Sequence, residues 1–156
     1  MEIIDMKIVL IVMSILILAA FLGLYMLGLV SQSGKANGLV GGELTQCPDK
    51  PNCVCSEFDL DVKHYIEPIR ISQDRLPEVL SRVQGAIHDM GGSIQVENDN
   101  YLAATFTSSL FRFVDDLEIR IDLDQKTIHL RSASRVGYSD RGVNRKRIER
   151  LKILYQ

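Results

Sequence analysis

The 156-residue chain is long enough for one domain, and its formal net charge is −2. That charge argues against a nucleic-acid-binding protein, which would carry an overall basic excess. The apolar fraction of 46% is ordinary for a soluble protein, but much of it lies in one block near the N-terminus. The average therefore hides a chain with two different parts.

The apolar block runs from Ile8 to Val30 and contains no charged residue. A helix of that length rises about 35 Å, which is enough to cross a hydrocarbon core of about 30 Å. A cleaved signal peptide is the alternative, but the head at 1–7 has more acid than base and no small-residue cleavage site follows. The sequence therefore predicts a short head at 1–7 and a transmembrane helix at 8–30.

The residues after the block indicate its orientation only weakly. Lys7 precedes the block and Lys35 and Lys50 follow it, so the positive-inside rule does not decide. A short head and a long tail favour a signal-anchor with the domain exported to the periplasmic or extracellular face. Three cysteines, Cys47, Cys53 and Cys55, favour the same side, where two of them would form a disulfide.

A spacer and one domain follow the block. Residues 31–46 are rich in glycine and serine and predict a flexible linker. The domain then covers 47–156, and it begins with a proline-containing loop that a Cys47–Cys53 bridge could close. A zinc site in this region would lack a fourth ligand, because His64 has no suitable partner, so we expect no metal and no cofactor.

The periodicity of the domain predicts an α+β fold with the order β-α-β-β-β-β-α. Alternating apolar residues predict strands, and apolar residues three or four positions apart predict helices. The expected sheet is mostly antiparallel with about five strands, and both helices pack on one of its faces. The predicted strands and helices cover about 65–71, 76–90, 94–96, 101–106, 113–123, 127–133 and 142–155.

The last two strands also predict their own register. If their turn centres on Asp124-Gln125, Ile121 faces Ile128 and Ile119 faces Leu130, two apolar pairs that support the alignment. The same register places Glu118 opposite Arg131 and Asp115 opposite Ser134. We therefore expect an ion pair between Glu118 and Arg131.

Asp115 is the one acid on the apolar face of its strand. A lone carboxylate there costs several kcal/mol unless it is paired or hydrogen-bonded. Its expected donors are Ser134, Arg135 or the loop containing Tyr138. A general acid or base with a perturbed pKa and a structural clasp that pins the loop both remain open, and the clasp is favoured.

The segment from Arg131 to Lys152 is basic, with eight Lys or Arg against two acids. The N–H groups at the start of its helix could accept an anion such as phosphate, a carboxylate or a lipid headgroup. Internal pairing of the same arginines with acids of the sheet is the equal alternative. The candidate binding residues are Glu118, Arg131, Ser134, Arg135, Tyr138, Asp140, Asn144, Arg145 and Arg147.

Three functions stay possible. The preferred one is a membrane-anchored binding or accessory module, with the basic loop and helix start accepting an anion. The second is a hydrolase or isomerase that uses Asp115 or Asp116 as a base and Arg131 or Arg135 as a clamp. The third is a structural module that docks onto a partner in a membrane complex. Recognised nucleophile and metal motifs are absent from the sequence, so enzymatic activity is the less favoured reading.

Four motifs stand out in the domain: Cys-Pro-x-x-Pro-Asn-Cys at 47–53, His-Tyr-Ile-Glu-Pro at 64–68, Phe-Val-Asp-Asp-x-Glu at 113–118, and the long basic run at 131–148. With these motifs the sequence resembles the family named domain of unknown function 1499. The resemblance covers roughly 45–155 and implies a small domain that is often exported or membrane-associated. It supports Cys47 and Cys53 as the bridged pair, with Cys55 an extra thiol, and it implies no activity, cofactor or catalytic residue.

Overall fold

The structure is a computed structural model, and it describes residues 6–156. Helix α1 covers Met6–Gln32, two residues more at each end than the sequence predicts. Its most apolar window has a mean hydropathy of 2.8 and is not buried against the rest of the chain. By length and composition this helix could cross a membrane.

After α1 the described chain forms eight strands, two α-helices and one short 3-10 helix. The strands are β1 (Leu39–Val40), β2 (Glu43–Leu44), β3 (Cys53–Cys55), β4 (Ile69–Arg70), β5 (Ser93–Glu97), β6 (Tyr101–Thr107), β7 (Val114–Asp122) and β8 (Thr127–Ser134). The 3-10 helix (Gln73–Glu78) leads into α2 (Val79–Asp89), and α3 (Val143–Tyr155) ends the domain.

The main sheet has six strands and is antiparallel throughout. Its order is β3-β8-β7-β6-β5. Strands β3 and β4 lie on the same edge of β8: β3 pairs with its C-terminal half and β4 with its first two residues. The α+β fold with a mostly antiparallel sheet is therefore confirmed. The sequence did not predict β3, because its three residues pair with the distant strand β8 and not with a neighbour along the chain.

One face of the sheet packs against α2 and α3. Leu117, Ile119 and Leu130 alternate along β7 and β8 and are fully buried. Val83 of α2 and Ile148 of α3 lie in the same apolar cluster. Both helices thus cover one face, which agrees with the amphipathic patterns of their sequences.

The opposite face of the sheet is covered by residues predicted to form a flexible spacer. Strands β1 and β2 form a hairpin with a two-residue turn, Gly41-Gly42. Both glycines have positive φ angles, 63° and 89°, as such a turn requires. Leu44 is 1% exposed and packs in a small cluster with Tyr101 and Cys55. Because the hairpin buries apolar surface, this part of the segment is ordered on the sheet.

The C-terminal end of α1 is docked at one end of the sheet, which we call the α1 end. The β6–β7 loop and the end of β8 lie there, because β6, β7 and β8 are antiparallel neighbours. The backbone N–H of Val114, the first residue of β7, donates to the Oγ of Ser31 at 3.1 Å. Helix α1 is therefore connected to the domain by direct contacts as well as by the chain.

Candidate functional site

The register of β7 and β8 agrees with the sequence prediction. Ile121 lies opposite Ile128, and Ile119 opposite Leu130. Asp115 accordingly pairs with Ser134 and Glu118 with Arg131 along the two strands. This alignment places Asp115 on the helix-covered face of the sheet, whereas Asp116, Glu118 and Asp122 lie on the hairpin-covered face.

Glu118 is fully buried beneath the hairpin and accepts hydrogen bonds from three groups. Arg131 Nη1 donates to Oε2 at 2.6 Å, so the predicted ion pair is confirmed. The hydroxyl of Tyr101 and the backbone N–H of Gly38 each donate to Oε1 at 2.8 Å. Burial, together with the Glu118 charge, raises the pKa of Tyr101. Glu118 therefore ties the segment before β1 to the centre of the sheet.

Asp116 lies on the same face, nearer the α1 end, and binds Arg135 through both of its oxygens. The two distances are 2.7 Å and 2.8 Å, and the hydrogen bond to Asp116 raises the pKa of Arg135. The remaining terminal nitrogen of Arg135 donates to the backbone oxygen of Ser31 at 3.1 Å. This pair consequently connects β7 to the last turn of α1.

Asp115 points to the other face and pairs with Arg147 of α3 at 2.7 Å. Its expected partners were Ser134, Arg135 or the following loop. Arg135 belongs to the opposite face, with Asp116, while α3 packs on the face of Asp115 and brings Arg147 within reach. The Arg147 guanidinium also lies 4.6 Å from the centre of the Phe106 ring, a cation–π contact.

The start of α3 is closed by protein groups. Asp140 lies two residues before the N-cap residue Gly142, and its carboxylate accepts from the N–H groups of Gly142 at 2.9 Å and Asn144 at 2.7 Å. Asn144 is 1% exposed and accepts from Ser132 Oγ at 2.6 Å. The Val143 N–H donates to the backbone oxygen of Asp140 at 3.2 Å, so Asp140 occupies the three N–H groups that were expected to accept an external anion.

The other predicted binding residues do not converge on one site. The Ser134 hydroxyl accepts from Asn144 at 3.0 Å, and Arg145 donates to the backbone oxygen of Tyr65 at 2.9 Å. Tyr138 is 68% exposed in the loop before α3. The predicted set is therefore divided between two buried networks, one on each face of the sheet, and an exposed loop.

Three grooves lie beside these networks. Two of them, of about 450 Å³ and about 420 Å³, flank the segment around Lys35, and Asp116 and Arg135 line both. The third, of about 390 Å³, lies on α3 and is lined by Met90, Phe106, Val143, Lys146, Arg147 and Arg150. In the first two grooves a ligand would meet a carboxylate and a guanidinium that already neutralise each other.

Sequence reasoning missed a second buried ion-pair group on the hairpin-covered face. Arg120 binds both oxygens of Glu57, at 2.7 Å and 3.1 Å, and also Asp122 at 3.1 Å. His129 Nδ1 lies 3.3 Å from Glu57, while its buried Nε2 has no hydrogen-bond partner within residues 6–156. Burial lowers the pKa of His129. The charged residues that alternate along β7 indicated such a group. Its partner Glu57 could not be predicted, because Glu57 lies in a loop whose position does not follow from any sequence period.

The cysteines agree with the disulfide prediction. Cys47 and Cys53 are bridged, and Cys55 is a buried free thiol whose pKa burial raises to about 11. Such a thiol is mostly protonated at neutral pH and is therefore a poor nucleophile. Among residues 6–156, no three His, Cys, Asp or Glu side chains are grouped as metal ligands would be.

Comparison with known proteins gives a family and no activity. The family model described as "Protein of unknown function (DUF1499)" matches residues 43–153. No curated protein matches the chain, and no solved structure does. The match covers nearly the whole domain, including the disulfide loop, β7, β8 and α3, and the chain therefore belongs to the DUF1499 family.

Proposed function

We propose that this protein is a single-pass membrane protein whose domain acts as a non-enzymatic accessory module on the exported side. The observation that carries the proposal is the contact between the domain and the end of α1. Ser31 accepts from the N–H of Val114 through its side chain and from Arg135 through its backbone oxygen. A helix with these contacts holds its domain in one orientation, which suits a module that presents a surface close to a bilayer.

The buried ion pairs support an accessory role over a catalytic one. Asp115 and Asp116, the candidate bases, are each paired with an arginine at 2.7 Å. Arg131 and Arg135, the candidate clamps, are occupied by Glu118 and Asp116. A substrate would have to break one of these pairs first, and leaving a buried charge unpaired costs about 3–5 kcal/mol.

Membrane insertion is tested by alkaline carbonate extraction of the full-length protein. We expect the wild type to stay in the membrane pellet, whereas a variant with Leu16→Lys and Leu18→Lys moves to the supernatant, because each lysine costs about 2.5–3.5 kcal/mol at the centre of a span. Leu60→Lys is the matched control, since Leu60 is 93% exposed in the domain. Release of the wild type would contradict the proposal.

A specific observation favours anionic lipid headgroups as the ligand of the module. The groove on α3 combines Lys146, Arg147 and Arg150 with the apolar side chains of Phe106 and Val143. Lys146 and Arg150 form no ion pair within the described residues, unlike Arg147. Phe106 lies near the end of β6, so the groove is at the α1 end of the sheet. Cationic groups near a bilayer surface attract anionic lipids by about 1 kcal/mol each.

Native mass spectrometry of the detergent-solubilised protein tests the lipid site. The protein is purified from membranes that contain phosphatidylglycerol, and bound lipids are counted. We expect retained phosphatidylglycerol to fall in a Lys146→Ala, Arg150→Ala variant and to be unchanged in Lys126→Ala, at the opposite end of the sheet. Equal retention by all three proteins would argue against the groove as a headgroup site.

A further inference from the structure

The loop between β6 and β7, residues 108–113, presents apolar side chains beside α1. Leu110 is 72% exposed, and the rings of Phe111 and Phe113 lie 6.0 Å apart between centroids. The Phe111 ring also lies 5.8 Å from that of Phe21 on α1. An exposed leucine next to two aromatic rings and an apolar helix forms one continuous apolar surface.

The loop backbone is in close contact with α1. A Cβ atom at Gly28 would lie 1.8 Å from the backbone oxygen of Phe111, so only glycine permits this approach. The side chain of Gln32 donates to the backbone oxygen of Arg112 at 3.5 Å. The position of the loop along α1 is therefore set by direct contacts.

The contacts of Phe111 lie inside the apolar block of α1. The block ends at Val30. Phe21 precedes Val30 by nine residues, so at 1.5 Å per residue it lies about 14 Å deeper in the block along the helix axis. Phe111 contacts the helix at Gly28 and again at Phe21. A bilayer that surrounds the block of α1 therefore also surrounds the tip of this loop.

The polar groups of the loop suit a location at the edge of the hydrocarbon. The N–H of Ser108 donates to the Phe113 oxygen at 2.8 Å, and the Phe113 N–H donates to Ser108 Oγ at 2.9 Å. Such internal bonds are needed where water is scarce. Arg112 is exposed and adopts a positive φ of 59°, and its long side chain can extend back to the headgroups.

We propose that loop 108–113 is a second membrane-inserted element, and that the partner of its apolar surface is the lipid bilayer itself. The proposal rests on the membrane-spanning role proposed for α1. It gives the domain two attachments to the membrane, so that the α1 end of the sheet faces the lipid. Coverage of the loop by protein, whether a second copy of the chain or another protein, is the rival that the test separates from lipid contact.

Tryptophan fluorescence tests this proposal cleanly because the chain contains no tryptophan. Three single-tryptophan variants of the full-length protein are reconstituted in phosphatidylcholine vesicles with and without brominated acyl chains. Leu110→Trp reports on the loop, and Leu16→Trp on the block of α1. Leu123→Trp is the matched control, since Leu123 is also exposed but lies at the opposite end of the sheet.

We expect Leu110→Trp to emit at shorter wavelength than Leu123→Trp and to lose intensity with brominated lipid, as Leu16→Trp does. If Leu110→Trp behaves like Leu123→Trp while Leu16→Trp is quenched, loop insertion is overturned and the span of α1 stands. Loss of quenching in Leu16→Trp as well would overturn both proposals. A blue-shifted but unquenched Leu110→Trp would mean that protein covers the loop, which also overturns lipid contact.

Discussion

Glu118 illustrates at the scale of one residue how this domain tolerates buried charge. Its carboxylate is fully buried, and its three partners come from β8, β6 and the segment before β1. A buried ion pair is stable when hydrogen bonds also satisfy its remaining lone pairs. The Glu118 carboxylate has these bonds, whereas Arg131 Nε is buried without a hydrogen-bond partner among the described residues. Through its bond from Gly38, Glu118 helps to specify where the segment before the hairpin lies on the sheet.

Replacing Glu118 by Gln should lower the free energy of unfolding by about 3–5 kcal/mol, because Arg131 would be left as a buried charge without its counterion. Urea denaturation of the detergent-solubilised protein measures the change. Glu149→Gln is the control, because Glu149 is 54% exposed in its pair with Lys152 and should cost less than about 1 kcal/mol. Equal costs for the two variants would contradict the structural role of Glu118.

His129 should make the domain less stable in mild acid. Burial lowers its pKa below the usual 6.5, and the neighbouring Glu57 only partly opposes this. Near and below about pH 6.5 the unfolded chain therefore binds a proton that the folded chain does not, and the free energy of unfolding decreases as the pH is lowered. His129→Gln should flatten that dependence between about pH 7.5 and about pH 5.5, by at most about 1.4 kcal/mol per pH unit.

Paired denaturation curves of the wild type and His129→Gln at both pH values check this prediction. The remaining histidines are common to the two proteins, so the difference between the slopes isolates His129. Parallel slopes would mean that the folded and unfolded forms of His129 bind protons equally.

At the scale of elements, the close approach of α1 to the β6–β7 loop depends on Gly28. Adding a methyl group there, as Gly28→Ala, places a carbon on the Phe111 oxygen, and relieving such overpacking costs about 1–3 kcal/mol. The loop or the helix must move, and the hydrogen bond from Val114 to Ser31 should weaken. We expect the Val114 amide to exchange with deuterium roughly fivefold faster or more, because every 1.4 kcal/mol is a factor of ten.

Hydrogen exchange measured by mass spectrometry on the protein in nanodiscs gives this comparison. Gly23→Ala is a matched control on the same helix, because a Cβ at Gly23 would meet no described atom within 4 Å beyond the adjacent residues and backbone of α1 itself. Its exchange should equal that of the wild type. If Gly28→Ala also leaves the exchange unchanged, α1 is not held against the domain in the way the structure describes.

At the scale of the whole molecule, the disulfide reports on the side of the membrane that holds the domain. Three cysteines are present, and an oxidising compartment keeps Cys47 and Cys53 bridged. Cells are quenched with acid, and the denatured protein is labelled with a maleimide of large mass. We expect one label, on Cys55, and three labels after prior reduction.

Cys47→Ser is the control for the labelling experiment, and it should carry two labels without reduction. Three labels on the unreduced wild type would place the domain in a reducing compartment and contradict its export. Because Cys55 is buried, the labelling must follow denaturation for the count to be complete.

Periodicity was sufficient to predict β5 to β8, α2 and α3, because each is long enough to show its repeat. The hairpin of β1 and β2 was missed, although Leu39-Val-Gly-Gly-Glu-Leu44 contains the two-glycine turn between apolar residues that predicts one. The surrounding glycines and serines favoured a spacer instead. Its position on the sheet depends on Leu44 and on the contact with Glu118, which local patterns do not contain.

The sequence by itself determined the apolar block, the α+β order, the register of β7 with β8, and the Glu118–Arg131 pair. Those features depend on neighbours along the chain or on alternation along two adjacent strands. Only the tertiary structure decided that Asp115 pairs with Arg147, Asp116 with Arg135, and α1 with the β6–β7 loop. Which arginine reaches which acid depends on the face that each element covers, and that is settled by the packing of the whole domain.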